Sequence, residues 1–217
     1  MFKNQYTASL IVQFIFTAVA GWADTAGFLM VAHVFVSFMS GNSTQLMVAL
    51  VQHDVVIILT MLVVLLGFVF GVVLGEVIRH KLTKRFTSVV LFIEAVALWL
   101  VAISVYFGMS KYLFLPIFSF AMGMHNTSLH KDNNLVIKTY ISGTLVSLGQ
   151  AIGKAFIQKE NAKLIISPLI VYIGFVIGAI TGAILSHAIS HFISLVTLAS
   201  VVSIIMLVSL FIIPTKP

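Results

Sequence analysis

A chain of 217 residues that is 60% hydrophobic and 8% charged, with a mean hydropathy of +1.16, has too little polar surface to wrap a water-soluble fold. Its solvent must be lipid, and its length allows one compact membrane domain without a sizeable soluble one. There is no cysteine, which excludes disulfides and thiolate metal sites, and the net charge of +6 reads as membrane topology rather than as a nucleic-acid surface.

Crossing a hydrocarbon core takes about 20 apolar residues in a helix. Six segments qualify: 7–28, 55–78, 87–108, 111–130, 164–185 and 191–213, the last closed by Pro214 and Pro217. The first mimics a secretory leader, with Lys3, an apolar run from Ala8, and Ala18-Val19-Ala20. Cleavage is not expected, because it would leave unequal the two copies of a repeat that begins at Gly21.

Between the first two spans, residues 33–54 are semi-polar. There Ser40-Gly41-Asn42-Ser43-Thr44-Gln45 precedes an apolar run, which predicts a helix N-terminus capped by Ser40 or Asn42. Such an end favours anions. The second span carries Gly67, Gly71 and Gly75 four apart along one face, a spacing that lets helices pack closely. Arg79 to Arg85 form a basic anchor at the membrane surface.

The third span holds Glu94 about 12 Å along its helix at 1.5 Å per residue. An ionised carboxylate there cannot face lipid. It either couples protons or bonds structurally to a neighbouring span. The fourth span ends in Gly123, His125 and Asn126. His125 is a candidate partner for Asp24 or Glu94, and is otherwise a hydrogen-bonded structural residue. Residues 131–163 are again semi-polar and include Ser142-Gly143-Thr144. The fifth span repeats the glycine ladder as Gly174, Gly178 and Gly182. His187 and His191 share a helix face, but no third ligand accompanies them, so no metal site and no cofactor is expected.

These segments form two copies of one unit. Gly21, Asp24 and Thr25 recur as Gly123, Asn126 and Thr127, and Ser40-Gly41 as Ser142-Gly143, each 102 positions on (21 to 123, 40 to 142). Gly67-Phe68-Val69, Gly71 and Gly75 recur 107 positions on (67 to 174). Repeat 1 covers about 7–108 and repeat 2 about 111–213, three spans each. An odd number of spans makes the second copy enter from the opposite face, an inverted repeat. Lys3, Arg79, Lys81, Lys84, Arg85, Lys131, Lys138, Lys154, Lys159, Lys163 and Lys216 then share one side, leaving only Lys111 opposite. The positive-inside rule puts both termini in the cytoplasm. An eight-span alternative, with both semi-polar stretches crossing, separates the charges less well. The expected fold is therefore all-α, with six transmembrane helices in a 3+3 inverted repeat and two short broken or re-entrant helices.

The run Gly21-Trp22-Ala23-Asp24-Thr25 and the later Phe35-Val36-Ser37-Phe38-Met39-Ser40-Gly41-Asn42-Ser43-Thr44 resemble the YoaK family of small bacterial membrane proteins, grouped as a domain of unknown function. Thr25 and Ser40 depart mildly from that pattern, where Ala and Thr are usual. The resemblance covers most of the chain and implies an integral membrane protein without an assigned substrate. A looser architectural likeness is to one half of a major-facilitator transporter, in which case a homodimer restores twelve spans.

No phosphate-binding loop or nucleophile elbow is present, so no enzymatic activity is expected. The expected function is a secondary carrier of a small polar or anionic solute in the cytoplasmic membrane. Its site lies between the two Ser-Gly motifs, drawing on Asp24, Ser40, Gly41, Asn42, Thr44, His125, Asn126, Ser142, Gly143 and Thr144. Asp24, Glu94 and His125 are the candidates for ion coupling. For Asp24 the competing reading is a carboxylate that caps the next helix. A passive channel and a non-transporting scaffold are the alternative functions.

Overall fold

The computed structural model describes residues 2–31, 33–82, 85–128, 130–131, 134–135, 141–158 and 163–212. Lys84, Lys138, Lys159, Pro214, Lys216 and Pro217 lie outside the described residues. Among the described residues eight helices run in order: α1 (Phe2–Met30), α2 (Met39–Gln52), α3 (Val55–Lys81), α4 (Phe86–Tyr106), α5 (Lys111–Thr127), α6 (Ile141–Gln158), α7 (Lys163–Ala188) and α8 (His191–Ile212). Between α5 and α6, two-residue strands β1 (His130–Lys131) and β2 (Asn134–Leu135) pair antiparallel.

Each of the six apolar segments coincides with a helix, and five are long and apolar enough to span a bilayer: α1, α3, α4, α7 and α8. The segment expected at 111–130 behaves differently. It forms a 17-residue helix that ends at Thr127. At 1.5 Å per residue this is about 26 Å, short of a hydrocarbon core of about 30 Å. The cause is local. The hydroxyls of Thr127 and Ser128 donate to the carbonyls of Met124 and His125, at 2.8 and 2.6 Å, and so close the last turn. α2 has 14 residues, about 21 Å, and cannot span.

Turn chemistry sets the joints. His53 adopts a left-handed conformation (φ 57°) after α2, and Asp54 then caps α3 by accepting from the Ile57 N–H at 3.0 Å. Gly108 turns left-handed (φ 63°) before Ser110 caps α5.

Helix packing depends on glycines at close crossings. α1 lies along α7, and α3 along α5. A Cβ on Gly178 would sit 2.7 Å from Ala18 Cα and closer still to its carbonyl oxygen. A Cβ on Gly71 would meet Gly123 Cα at 3.1 Å and crowd the Phe120 carbonyl. Gly21 meets the Phe175 backbone, and Gly123 the Phe68 backbone. Gly67 faces Pro116 and Ser119, and Gly174 faces Phe14 and Thr17. Gly75 meets the Thr127 side chain, and Gly182 meets Trp22. At all these positions the missing side chain is what allows the close approach, of backbone to backbone except at Gly75, where the Thr127 side chain fills the space.

α4 packs on α8 and α5, closing a core around Leu98, Val101, Phe118, Leu195 and Leu198. Serines and tryptophans link helices through hydrogen bonds. Trp22 Nε1 donates to Ser194 Oγ at 3.0 Å, Trp99 Nε1 to Ser203 Oγ at 3.3 Å, and Ser88 and Ser209 share a bond of 2.8 Å. Large apolar side chains such as Leu66, Phe70, Ile184 and Phe211 point outward, as befits a fold whose solvent is lipid.

Candidate functional site

Asp24 sits on α1 and is buried, yet it is densely bonded. Its Oδ1 accepts the N–H groups of Val36 at 2.9 Å, Ser37 at 2.6 Å and Phe38 at 3.4 Å. Its Oδ2 accepts the Ser37 hydroxyl at 2.6 Å. The carboxylate thus holds the segment that leads into α2, in the manner of an N-cap supplied by another helix. This corrects the local cap read from sequence. α2 begins at Met39 after Phe38, which makes no side-chain cap, so Ser40 and Asn42 lie inside the helix.

Asn42 instead reaches backward, fully buried. Its Oδ1 accepts the Phe35 N–H at 3.1 Å, while its Nδ2 donates to the Phe35 carbonyl at 2.6 Å. Both polar groups of one buried residue are thereby satisfied. Gln45 Nε2 donates to the His33 carbonyl at 2.6 Å. The loop 33–38 is therefore held by three side chains from two helices.

Beside this loop lies a cavity of about 410 Å³. Asp24, Ser37, Ser40, Asn126 and Ser142 bring polar groups to it, and Phe35, Phe38, Phe68 and Phe175 bring aromatic ones. Met39 and Ile141 complete the lining. Eight of these residues form four pairs at the sequence offsets of the repeat: Asp24 with Asn126, Met39 with Ile141, Ser40 with Ser142, and Phe68 with Phe175. The members of the first pair differ chemically. Asp24 holds the loop before α2, and Asn126 Nδ2 donates to the Met122 carbonyl of its own helix at 2.9 Å.

Of the residues singled out from sequence, Asp24, Ser40, Asn126 and Ser142 line this cavity. The others do not. Gly41 lies against Phe38 and Phe35, Thr44 is exposed and bonds the Ser40 carbonyl at 3.1 Å, Gly143 is exposed, and Thr144 is buried. The aromatic members were not singled out as site residues. Phe68 and Phe175 recur in the repeat, but beside a glycine ladder they read as packing. A second cavity, of about 430 Å³, is lined by apolar side chains such as Phe70, Ile93 and Leu100, and has nothing to select a polar solute.

Glu94 and His125 come together between α4 and α5. Glu94 is wholly buried and His125 nearly so. Glu94 Oε1 lies 2.8 Å from His125 Nδ1, and His125 Nε2 lies 3.0 Å from the Phe16 carbonyl of α1. The Phe16 ring stacks on the imidazole, with centroids 5.0 Å apart. Sequence offered Asp24 or Glu94 as the partner of His125. Among the described residues the ion pair is with Glu94, and Asp24 is occupied elsewhere. Among the described residues, no cluster of three or more His, Asp or Glu could hold a metal.

Residues 12–208 match the sequence family described as "Protein of unknown function (DUF1275)". The chain belongs to the DUF1275 family. Its sequence is also similar to the UPF0700 transmembrane protein YoaK of Bacillus subtilis (strain 168), with 29% identity over 150 residues, covering 65% of this chain and 67% of that protein. No solved structure matches the chain significantly. With five helices long enough to span and a transmembrane relative, this DUF1275 chain is a multi-pass membrane protein.

Proposed function

We propose that this DUF1275-family protein is a secondary carrier whose solute binds in the cavity between Ser40 and Ser142. The observation that carries the proposal is the cavity's lining by corresponding residues of both repeats. Carriers built from inverted repeats bind their solutes where the two repeats meet. The helix contacts support the same relation. α1 lies on α7 as its counterpart α5 lies on α3, and α2 lies on α3 as α6 lies on α7. In this reading α1, α3 and α4 form one three-span unit and α5, α7 and α8 the other, inverted in the membrane, with the 17 residues of α5 at the lower limit for a span. The 14-residue α2 and its counterpart α6 enter without crossing. The basic side, with both termini, faces the cytoplasm of a bacterial cell.

The lining narrows the solute. A volume near 410 Å³ suits a small molecule. The four phenylalanines offer apolar contact, and the serines and Asn126 offer hydrogen bonds. Asp24 is the ionisable member, and no basic residue stands among the described residues of the lining. An anion about 5 Å from that carboxylate meets about 3 kcal/mol of repulsion at an effective dielectric of about 20. The half-charge at the α6 N-terminus offsets part of this. A neutral or cationic polar solute therefore fits better than an anionic one.

The test is uptake by proteoliposomes of a panel of small neutral and cationic amphipathic solutes, under imposed pH gradients. Saturable uptake by the wild-type protein, lost in Ser142→Trp, supports the carrier. Conductance far above carrier rates in planar bilayers points to a channel. Absence of any flux, with copurification of one stable partner, points to a scaffold.

A further inference from the structure

The contacts of His125 fix a proton count. A carbonyl oxygen only accepts, so the Nε2 that faces Phe16 carries a hydrogen. The contact between Nδ1 and Glu94 Oε1 at 2.8 Å then needs a second hydrogen, on the imidazole or on the carboxyl group. Either arrangement places two hydrogens across one imidazole and one carboxyl.

We propose that Glu94 and His125 form a site that binds one exchangeable proton, and that its release uncouples α5 from α4 or from α1. On release, the bridging N–H or O–H bond breaks and the proton passes to a water or buffer base. One hydrogen then remains for two contacts. If it stays on Nε2, the lone pair of Nδ1 faces a carboxylate. If it moves to Nδ1, the lone pair of Nε2 faces the Phe16 carbonyl. Both tautomers oppose acceptor to acceptor at about hydrogen-bond distance, so one link gives way. Glu94 Oε2 is buried without a partner among the described residues, so no second bond from them holds the carboxyl group in place.

Among the described residues, no other charged group pairs with Glu94 or His125. From α1, Asp24 is bound to the 36–38 loop. From α3, Glu76 is paired with Arg79 and lies 3.2 Å from His80, with Lys81 beyond them at the helix end. α8 runs antiparallel to α4, with Ser209 against Ser88 and Ser203 against Trp99, and carries no titratable residue from 203 to 209. Arg85 precedes α4, and Lys111 opens α5 beside Tyr112.

The site also occurs once per chain. At the repeat offset, the counterpart of His125 is Ala23, itself fully buried. The residue after His125 is Asn126, in the cavity lining. A shift of α5 therefore moves the cavity wall. The link between proton and solute rests on the carrier reading above, while the proton count does not.

The test uses the purified full chain in lipid nanodiscs. Protons released on an upward pH jump are counted for the wild type and for Glu94→Gln. The Gln amide can still donate to Nδ1, which preserves the contact without the exchangeable proton. The expected result is one more proton per chain from the wild type. Nitrogen-15 histidine spectra of the wild type should show one histidine, without a counterpart in Glu94→Gln, whose ring-nitrogen shifts move with the release. Equal release from both proteins, with no such histidine, overturns the site. Release without any flux in proteoliposomes keeps the proton site and removes the carrier. Flux in Glu94→Gln with unchanged pH dependence removes the coupling.

Discussion

Replacing Gly178 by Ala tests the packing argument with a single methyl group. The new Cβ would stand 2.7 Å from Ala18 Cα and 2.5 Å from its carbonyl carbon. Ordinary contact begins near 3.4 Å, and all the obstructing atoms are backbone. No rotamer can relieve the clash, so α1 and α7 must part by about 1 Å along the crossing. A gap of that size forfeits a quarter to a half of the contact energy of the atoms lining it. Overpacking of a tight interior typically costs about 1–3 kcal/mol, and backbone obstruction puts this case at about 3 kcal/mol. Gly149→Ala is the control. Gly149 lies in α6 with nothing within 4 Å of its would-be Cβ, so helix propensity alone should stabilise it, by up to about 1 kcal/mol. The assay is thermal unfolding in one detergent, followed by the fluorescence of Trp22 and Trp99. A Gly178→Ala protein as stable as wild type refutes the close α1–α7 crossing.

Three further outcomes follow from the hydrogen bonds. Asp24→Ala strands three backbone N–H groups and the Ser37 hydroxyl and should cost about 3 kcal/mol or more, whereas Asp24→Asn keeps an acceptor and should cost about 1 kcal/mol; equal losses in thermal unfolding would contradict the capping role. Asn42→Ala removes both bonds to the Phe35 peptide and should cost about 2–3 kcal/mol, with faster proteolysis of the 33–38 loop as the direct readout. Trp22→Phe loses the bond to Ser194 and should cost about 1 kcal/mol, an effect that Ser194→Ala should not add to in the double variant.

Helix positions were legible because lipid imposes a simple rule: a long apolar run must satisfy its own backbone. The rule placed the end of α5 a few residues late, because two hydroxyls close the helix at Thr127 inside a run, His125 to Ser128, that has already turned polar. Asp24 illustrates a second limit. A carboxylate that caps the next helix was one of its two readings and is the arrangement found, but which backbone N–H groups it takes, 12 to 14 residues away, carries no sequence signal. The same holds for Asn42, where a helix-start composition concealed a bond to the preceding loop. The repeat fared differently. A fixed offset is a long-range signal, and it put Asp24, Ser40, Asn126 and Ser142 in the same candidate group before their shared cavity was seen. The phenylalanines escaped because an aromatic beside a small-residue ladder reads as packing whether or not a cavity adjoins it. His125 left two acids open as partners, since 31 residues separate it from Glu94 and helix rotation decides which acid it meets.

The most direct test of the account uses the absence of native cysteine. A single Ser142→Cys thiol at the cavity wall is exposed to a membrane-impermeant maleimide, from the inside or from the outside of sealed vesicles. Alternating access predicts labelling from both faces, with treatment on one face blocking later labelling from the other. Labelling from one face alone, or from neither, contradicts a cavity that opens in turn to each side of the membrane.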